Sequence, residues 1–230
     1  MQIEISGLTQ QNYIQKSDDT CSEKFSEKTY DLEMYNLERE IFIKKCIELI
    51  RFMKFSYELL DEASKNLGWD MNYYKILFTE DISKIAIEIE KINDLLIENV
   101  EFNQGGGESN IGTTKKIIKL LEARIINEEI PKSSMVSMNK YYRSLAGIKT
   151  KVISSYNTVD KIWKFIDDKS LDFSFYSKRM ILFTLYEKAM YFYINKDDSE
   201  NSNLTRNYID DIVVKSVAKL SSIAKIFKRI

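Results

Sequence analysis

From about Leu37 onward the apolar residues of this chain return at three- and four-residue intervals. Ile41, Ile43, Ile47, Ile50, Phe52 and Met53 carry the first such period, which predicts a helix. A second helix is expected from Ser56, a residue type suited to the N-cap, to Gly68. A short helix follows Asp70, and a longer one follows Thr79 or Asp81 through about Val100. Further on, helices are expected at roughly 113–128, 131–146, 149–167, 173–195 and 203–230, with Pro131 in a first turn. One proline and seven glycines in 230 residues leave little to break these periods. The expected fold class is therefore all-α.

Composition shifts divide the chain. Residues 1–35 are polar and acid-rich, and read as a mobile leader with weak structure. A helical block over 36–101 leads to FNQGGGESNIGTT (102–114), the one linker-like stretch, and a second block fills 115–230. Gly107-x4-Gly112 has the spacing of a phosphate-binding loop. Thr113 stands where that loop needs its lysine, and a helix precedes it in place of a buried strand. A solvated linker explains the stretch.

Several classes of chemistry are closed off. The chain has no histidine, so Ser-His-Asp and Cys-His machinery and His-ligated metals are excluded. Carboxylate pairs such as Glu128–Glu129 and Asp210–Asp211 fall near helix ends or on polar faces, where dipole and solvation roles suffice. No catalytic constellation and no cofactor are expected. Cys21 and Cys46 read as reduced thiols.

Residues 172–194, DFSFYSKRMILFTLYEKAMYFYI, hold eight aromatics, yet Lys178, Arg179, Glu187 and Lys188 interrupt them. A membrane-spanning helix needs about 20 predominantly apolar residues. This segment is too interrupted to span. Its aromatics cannot share one face, so the helix must be enclosed from several sides by core, subunit or ligand.

Residues 52–80 have the form of a helix-turn-helix, with small residues Ala63 and Ser64 and a turn at Gly68. Its segment 54–80 carries three lysines against five acids, the wrong sign for gripping phosphates. No nucleic-acid partner is expected. The terminal segment VVKSVAKLSSIAKIFKRI (213–230) pairs an apolar stripe with charges that are all basic. It reads either as an amphipathic helix on an anionic membrane surface or as one docked on its own core.

The segment 160–193 resembles the signature of the ubiquinone-biosynthesis accessory family, the ninth member of the Coq series. The residues that carry the resemblance are Asp160, Trp163, Asp168, Ser170, Asp172, Phe173, Phe175, Tyr176, Ser177, Lys178, Arg179, Leu182 and Tyr186. Phe52, Phe55, Ser56, Leu60, Ala63, Leu67 and Gly68 are similar to the family's N-terminal pattern. Departures are Phe175 and Phe55 where the family has tryptophan, Asp167 where it has glycine, and LTRNYIDDI (204–212) without paired arginines.

The resemblance implies a fold like that of TetR regulators and a non-enzymatic role. It also implies a lipid-filled apolar cavity holding an isoprenoid quinone precursor or phospholipid, and a demethoxyubiquinone hydroxylase as partner. On this sequence it suggests Trp163, Phe175 and Tyr176 as the partner-facing patch. Phe183, Tyr186 and Met190 are the expected lipid contacts. Lys215, Lys219, Ile223, Lys225, Phe227, Lys228 and Arg229 would meet the membrane. A homodimer peripheral to a bacterial inner membrane is expected, or on the mitochondrial matrix side in a eukaryote. The first fifteen residues carry no lysine or arginine, which fits neither a secretory signal nor a presequence. The alternative is a TetR-type regulator sensing an apolar effector.

Overall fold

The computed structural model describes residues 21–102, 112–126, 131–169, 173–196 and 201–227, with side chains between Leu32 and Lys219. Among these residues every regular element is helical. They are α1 (Cys21–Leu49), α2 (Tyr57–Asn66), α3 (Tyr73–Phe78), α4 (Ile82–Asn93) and α5 (Leu95–Glu98). There follow α6 (Thr113–Ile125), α7 (Lys132–Tyr142), α8 (Leu145–Phe165), α9 (Phe173–Asn195) and α10 (Asn201–Phe227).

The chain divides into two units, Met1–Glu40 and Ile41–Ile230. In the first unit α1 already starts at Cys21, so part of the stretch expected to be weakly structured is helical. There the Arg39 guanidinium lies 5.7 Å over the Tyr35 ring, one helical turn away. In the second unit, helices from both sides of the glycine stretch share one core, with Leu96 and Ile97 packed among residues of α6, α8 and α9. Most of the glycine stretch itself (103–111) lies outside the described residues.

The helix-turn-helix arrangement forms as the residues suggest. Ala63 and Ser64 are buried, and Gly68 adopts φ +71°, where a side chain would be strained. Phe42 sits beneath it, stacked on Trp69 at 6.1 Å and Tyr74 at 5.9 Å. Ser56 occupies the N-cap of α2, but its hydroxyl makes no capping bond. Asp81 does cap α4, accepting from Ser83 N at 2.9 Å. The long helix expected to reach Val100 is divided at Asp94 into α4 and α5.

Between α7 and α8 the boundary differs from the expected one. Ser144 caps α8, its Oγ accepting from Gly147 N at 3.0 Å, so α7 stops at Tyr142 and α8 begins at Leu145. Gly147 is needed there because a Cβ would lie 2.8 Å from the Tyr142 Cα. Pro131 stands at the N-cap of α7, one position before the first turn.

Candidate functional site

Two features of the second unit meet on α8 and α9: a charged knot and a small cavity. The knot starts at the end of α8. Asp167 has φ +63°, and Asp168 N donates to Trp163 O at 3.1 Å while Asp167 N donates to Lys164 O at 3.0 Å. These bonds form a left-handed helix cap, a position that favours glycine. The turn aims Asp168 at α9, where it receives Lys178 Nζ at 2.7 Å and lies 3.5 Å from Arg179 Nη1. Arg179 is 2% exposed. Its Nε donates to Asp160 Oδ1 at 2.7 Å, its Nη1 donates to Phe175 O at 3.2 Å, and its guanidinium stacks 3.4 Å from the Phe175 ring centroid. Burial pushes the Asp160 carboxyl upward, but hydrogen bonds from Lys164 and Arg179 outweigh it and hold the carboxyl below its usual range. Lys178 also lies 5.5 Å over the Trp163 ring. The signature residues Asp160, Trp163, Asp168, Phe175, Lys178 and Arg179 are thus one clamp joining α8 to α9.

Asp167 gives a direct check on this geometry. Asp167→Gly should stabilise the protein by about 0.5–1 kcal/mol, because glycine adopts φ > 0 without Cβ strain. The exposed Asp167–Lys169 pair lost in exchange contributes little. A higher urea midpoint is the expected result.

The cavity is lined by α4, α6, α7, α8 and α9 with the end of α1, and it encloses about 40 Å³. That is room for about two water molecules. Its apolar lining includes Ile50, Ile89, Met135, Met138, Met190 and Ile194. At one end lies a buried ionic network. Arg124, 1% exposed, donates from Nε to Asp94 Oδ1 at 2.6 Å and from Nη2 to Glu90. Tyr142 Oη donates to Glu90 Oε1 at 2.8 Å, and Thr158 Oγ1 to Asp94 Oδ1 at 2.9 Å. One guanidinium thus faces two carboxylates, a formal charge of −1 inside the protein.

Burial raises the Asp94 carboxyl above its ordinary value, although Arg124 opposes the shift. Burial and the neighbouring Glu90 raise the Tyr142 phenol. Tyr186 is raised by burial, partly offset by Arg124. The two phenols therefore stay protonated at neutral pH. Two cavity hydroxyls, Ser134 Oγ and Ser154 Oγ, are buried with no hydrogen-bond partner within the protein. These two hydroxyls are neutral donors, and the cationic Lys151 on the same lining is paired with Glu187 at 2.9 Å.

The structure sorts the residues expected from sequence. Tyr176 is 64% exposed, Phe175 is half-buried beneath Arg179, and Trp163 is buried. Of the three expected partner contacts, only Tyr176 has an exposed ring; Phe175 packs against it at 5.1 Å and Trp163 lies under Lys178. Tyr186 and Met190 line the cavity, whereas Phe183 is half-buried against the apolar core and is not part of the lining. On α10, Ile209 and Val213 are buried while Val214 and Val217 are exposed. Its first half is thus core. Lys215 is exposed and paired with Asp211 at 2.7 Å, and Lys219 is exposed. The side chains of Ile223, Lys225 and Phe227, and Lys228 and Arg229 altogether, lie outside the described residues. Cys46 is a free, buried thiol whose pKa burial pushes up, so it is chemically quiet.

The network of Arg124, Glu90, Asp94, Tyr142 and Thr158 was not among the expected sites. One signal was available. Arg124 occupies an apolar position in the series Ile117, Leu120, Leu121, Arg124, Ile125, all of them buried. Its carboxylate partners come from α4 and the α4–α5 junction, and these are bonded in turn from α7 and α8, distances in sequence that no local pattern connects.

Residues 148–220 match the family model described as COQ9. They contain the whole α8–α9 clamp and the Tyr186 and Met190 side of the cavity. This stretch is similar to COQ9. A protein of Dictyostelium discoideum described as "Probable ubiquinone biosynthesis protein coq9, mitochondrial" is 29% identical over 181 residues. The alignment takes in 74% of this chain and 57% of that protein, so the chain spans little more than half of its relative's length. A TetR transcriptional regulator from Nitrosomonas europaea superposes with a TM-score of 0.53 at 13% identity, covering 78% of this chain and 98% of that one. The fold is all-α and TetR-like. The glycine that the COQ9 pattern places at position 167 now has a physical reason, the positive φ of the α8 cap.

Proposed function

We infer that this COQ9-like chain is a non-catalytic accessory protein of ubiquinone biosynthesis. It holds an apolar ligand with a neutral oxygen-bearing head and presents it to a di-iron hydroxylase at a membrane. The observation that carries this reading is the cavity walled by Tyr186 and Met190, within the residues that match the COQ9 model. Its hydroxyls, Ser134 and Ser154, can donate to a carbonyl or phenol oxygen. Unpartnered hydroxyls suit a neutral oxygen-bearing head, which favours a quinone precursor over a phospholipid headgroup. At about 40 Å³ the cavity is closed around less than a ring. Met135, Met138 and Met190 are the unbranched side chains whose repacking widens it.

Tyr176, exposed at the clamp, is the proposed hydroxylase contact. Lys215, Lys219 and the basic end of α10 are the proposed membrane contact, and the working form is a homodimer. No described helix is long and apolar enough to cross a bilayer. The relative's mitochondrial description favours the matrix side of the inner membrane over a bacterial setting.

Native mass spectrometry of the purified protein should find a neutral isoprenoid. The Ser134→Ala/Ser154→Ala variant should retain about fivefold to tenfold less of it, from two lost hydrogen bonds. A consistently empty protein, with gene deletion leaving quinone precursors unchanged, would sink this reading.

The fold likeness favours a second reading, a regulator sensing an apolar effector. It requires a DNA-reading helix, yet α3 has six residues and the segment 54–80 is net negative. That reading predicts salt-sensitive binding to a palindrome, whereas the accessory reading predicts none.

A further inference from the structure

The two faces of α7 border different spaces. Ser134, Met135 and Met138 face the inner cavity, while Lys132, Val136 and Lys140 face an outer groove of about 370 Å³ against the α1–α2 turn. The charged residues lining that groove are Arg51, Lys54, Lys132 and Lys140, all cationic. At the same turn Phe52 is 87% exposed, the most exposed aromatic among the described residues.

A single exposed phenyl is ordinary on a protein surface. This one is held out by a built turn. Phe52 N and Met53 N both donate to Leu49 O at 2.9 Å. Ser137 Oγ, from α7, accepts from Phe55 N at 2.9 Å and donates to Met53 O at 3.1 Å. One α7 hydroxyl therefore fixes the turn that presents Phe52 among the cations.

We propose that the α1–α2 turn and the outer face of α7 dock on an anionic lipid bilayer. Phe52 enters below the headgroups while the exposed Lys54 and Lys140 meet lipid phosphates, and Arg51 and Lys132 add positive charge to the groove. An apolar wedge ringed by cations matches that interface in both layers. A nucleic acid offers the phosphates too, but not a continuous apolar layer beneath them to receive Phe52. Since α7 walls both spaces, this docking sets the inner cavity one helix away from the bilayer. The proposal rests on the reading that the protein works at a membrane, and it names a contact separate from α10.

The full chain is floated with phosphatidylcholine vesicles and with vesicles that also contain phosphatidylglycerol. Lys54→Gln/Lys140→Gln should weaken binding to the anionic vesicles about 30-fold, near fivefold for each cation. Phe52→Ser should weaken it about tenfold. A Phe52→Trp variant should be quenched by brominated acyl chains. These side chains are exposed, so unchanged unfolding midpoints show that the fold is kept.

If both groove variants bind as wild type while Lys215→Gln/Lys219→Gln abolishes binding, the membrane reading survives and this surface is refuted. Wild-type protein floating with neither vesicle refutes both. Displacement of the vesicles by a short RNA, with the Phe52→Trp variant unquenched, assigns the groove to nucleic acid and overturns the proposal.

Discussion

Replacing Arg124 with leucine should destabilise the protein by about 3–5 kcal/mol at neutral pH, because it strands Glu90 and Asp94 without their shared cation. The apolar side chain would pack well enough; the cost lies in the partners. The Asp94 and Glu90 side chains are only 5% and 15% exposed, so neither carboxylate can readily turn to water. Asp94 is held by burial above its ordinary pKa even with Arg124 present. Without that opposing cation it must rise further. An acid whose folded pKa exceeds its unfolded one binds its proton more tightly when folded, so folding gains as pH falls through the raised value. The deficit of Arg124→Leu should therefore shrink on mild acidification, above the ordinary carboxyl value of about 3.9. Urea unfolding at neutral and mildly acidic pH measures it. A triple replacement, Arg124→Met with Glu90→Gln and Asp94→Asn, should recover part of the loss, since no charge is then left buried.

Arg179→Leu should cost about 3 kcal/mol and loosen the start of α9, where one guanidinium serves Asp160, Asp168 and the Phe175 carbonyl. Arg179→Lys should recover only part of it, because an ammonium cannot reproduce the planar fork or the stacking on Phe175. The pH window differs from that of Arg124. The Asp160 carboxyl is lowered by its hydrogen bonds to Lys164 and Arg179, against burial. A lowered folded pKa contributes stability above the unfolded value of about 3.9, lost as pH falls through the folded value. The gap between wild type and Arg179→Leu should close only below that pH. If Tyr176 is the hydroxylase contact, the same variant should weaken partner capture, since Phe175 meets Tyr176 edge-on at 5.1 Å. Undiminished capture by folded Arg179→Leu protein would remove the clamp from that role.

The helices were legible because each announces itself over a few turns. Ile85, Ala86 and Ile89 of α4 and Ile117, Leu120 and Leu121 of α6 are buried at the spacing that marks them as inward-facing. The boundary between α7 and α8 was misplaced because Ser144 and Gly147 act through one capping bond and one close approach, both invisible to periodicity. Helix α10 was left between core and membrane for a similar reason. The stripe of 213–230 is continuous in sequence, but Val213 finds the core while Val214 and Val217 do not.

By itself, then, the sequence determined the helical class, the turn at Gly68, the absence of imidazole chemistry and the residues of the α8–α9 signature. Those are properties of composition and of spacings within a few residues, where local geometry alone decides. Only the tertiary structure decided that Asp160, Asp168 and Arg179 are a clamp, that Trp163 lies beneath the surface, and that Arg124 joins α4, α7 and α8 at a small cavity. A buried charge survives only where partners from distant helices surround it. That requirement is met by packing, and no single segment records it.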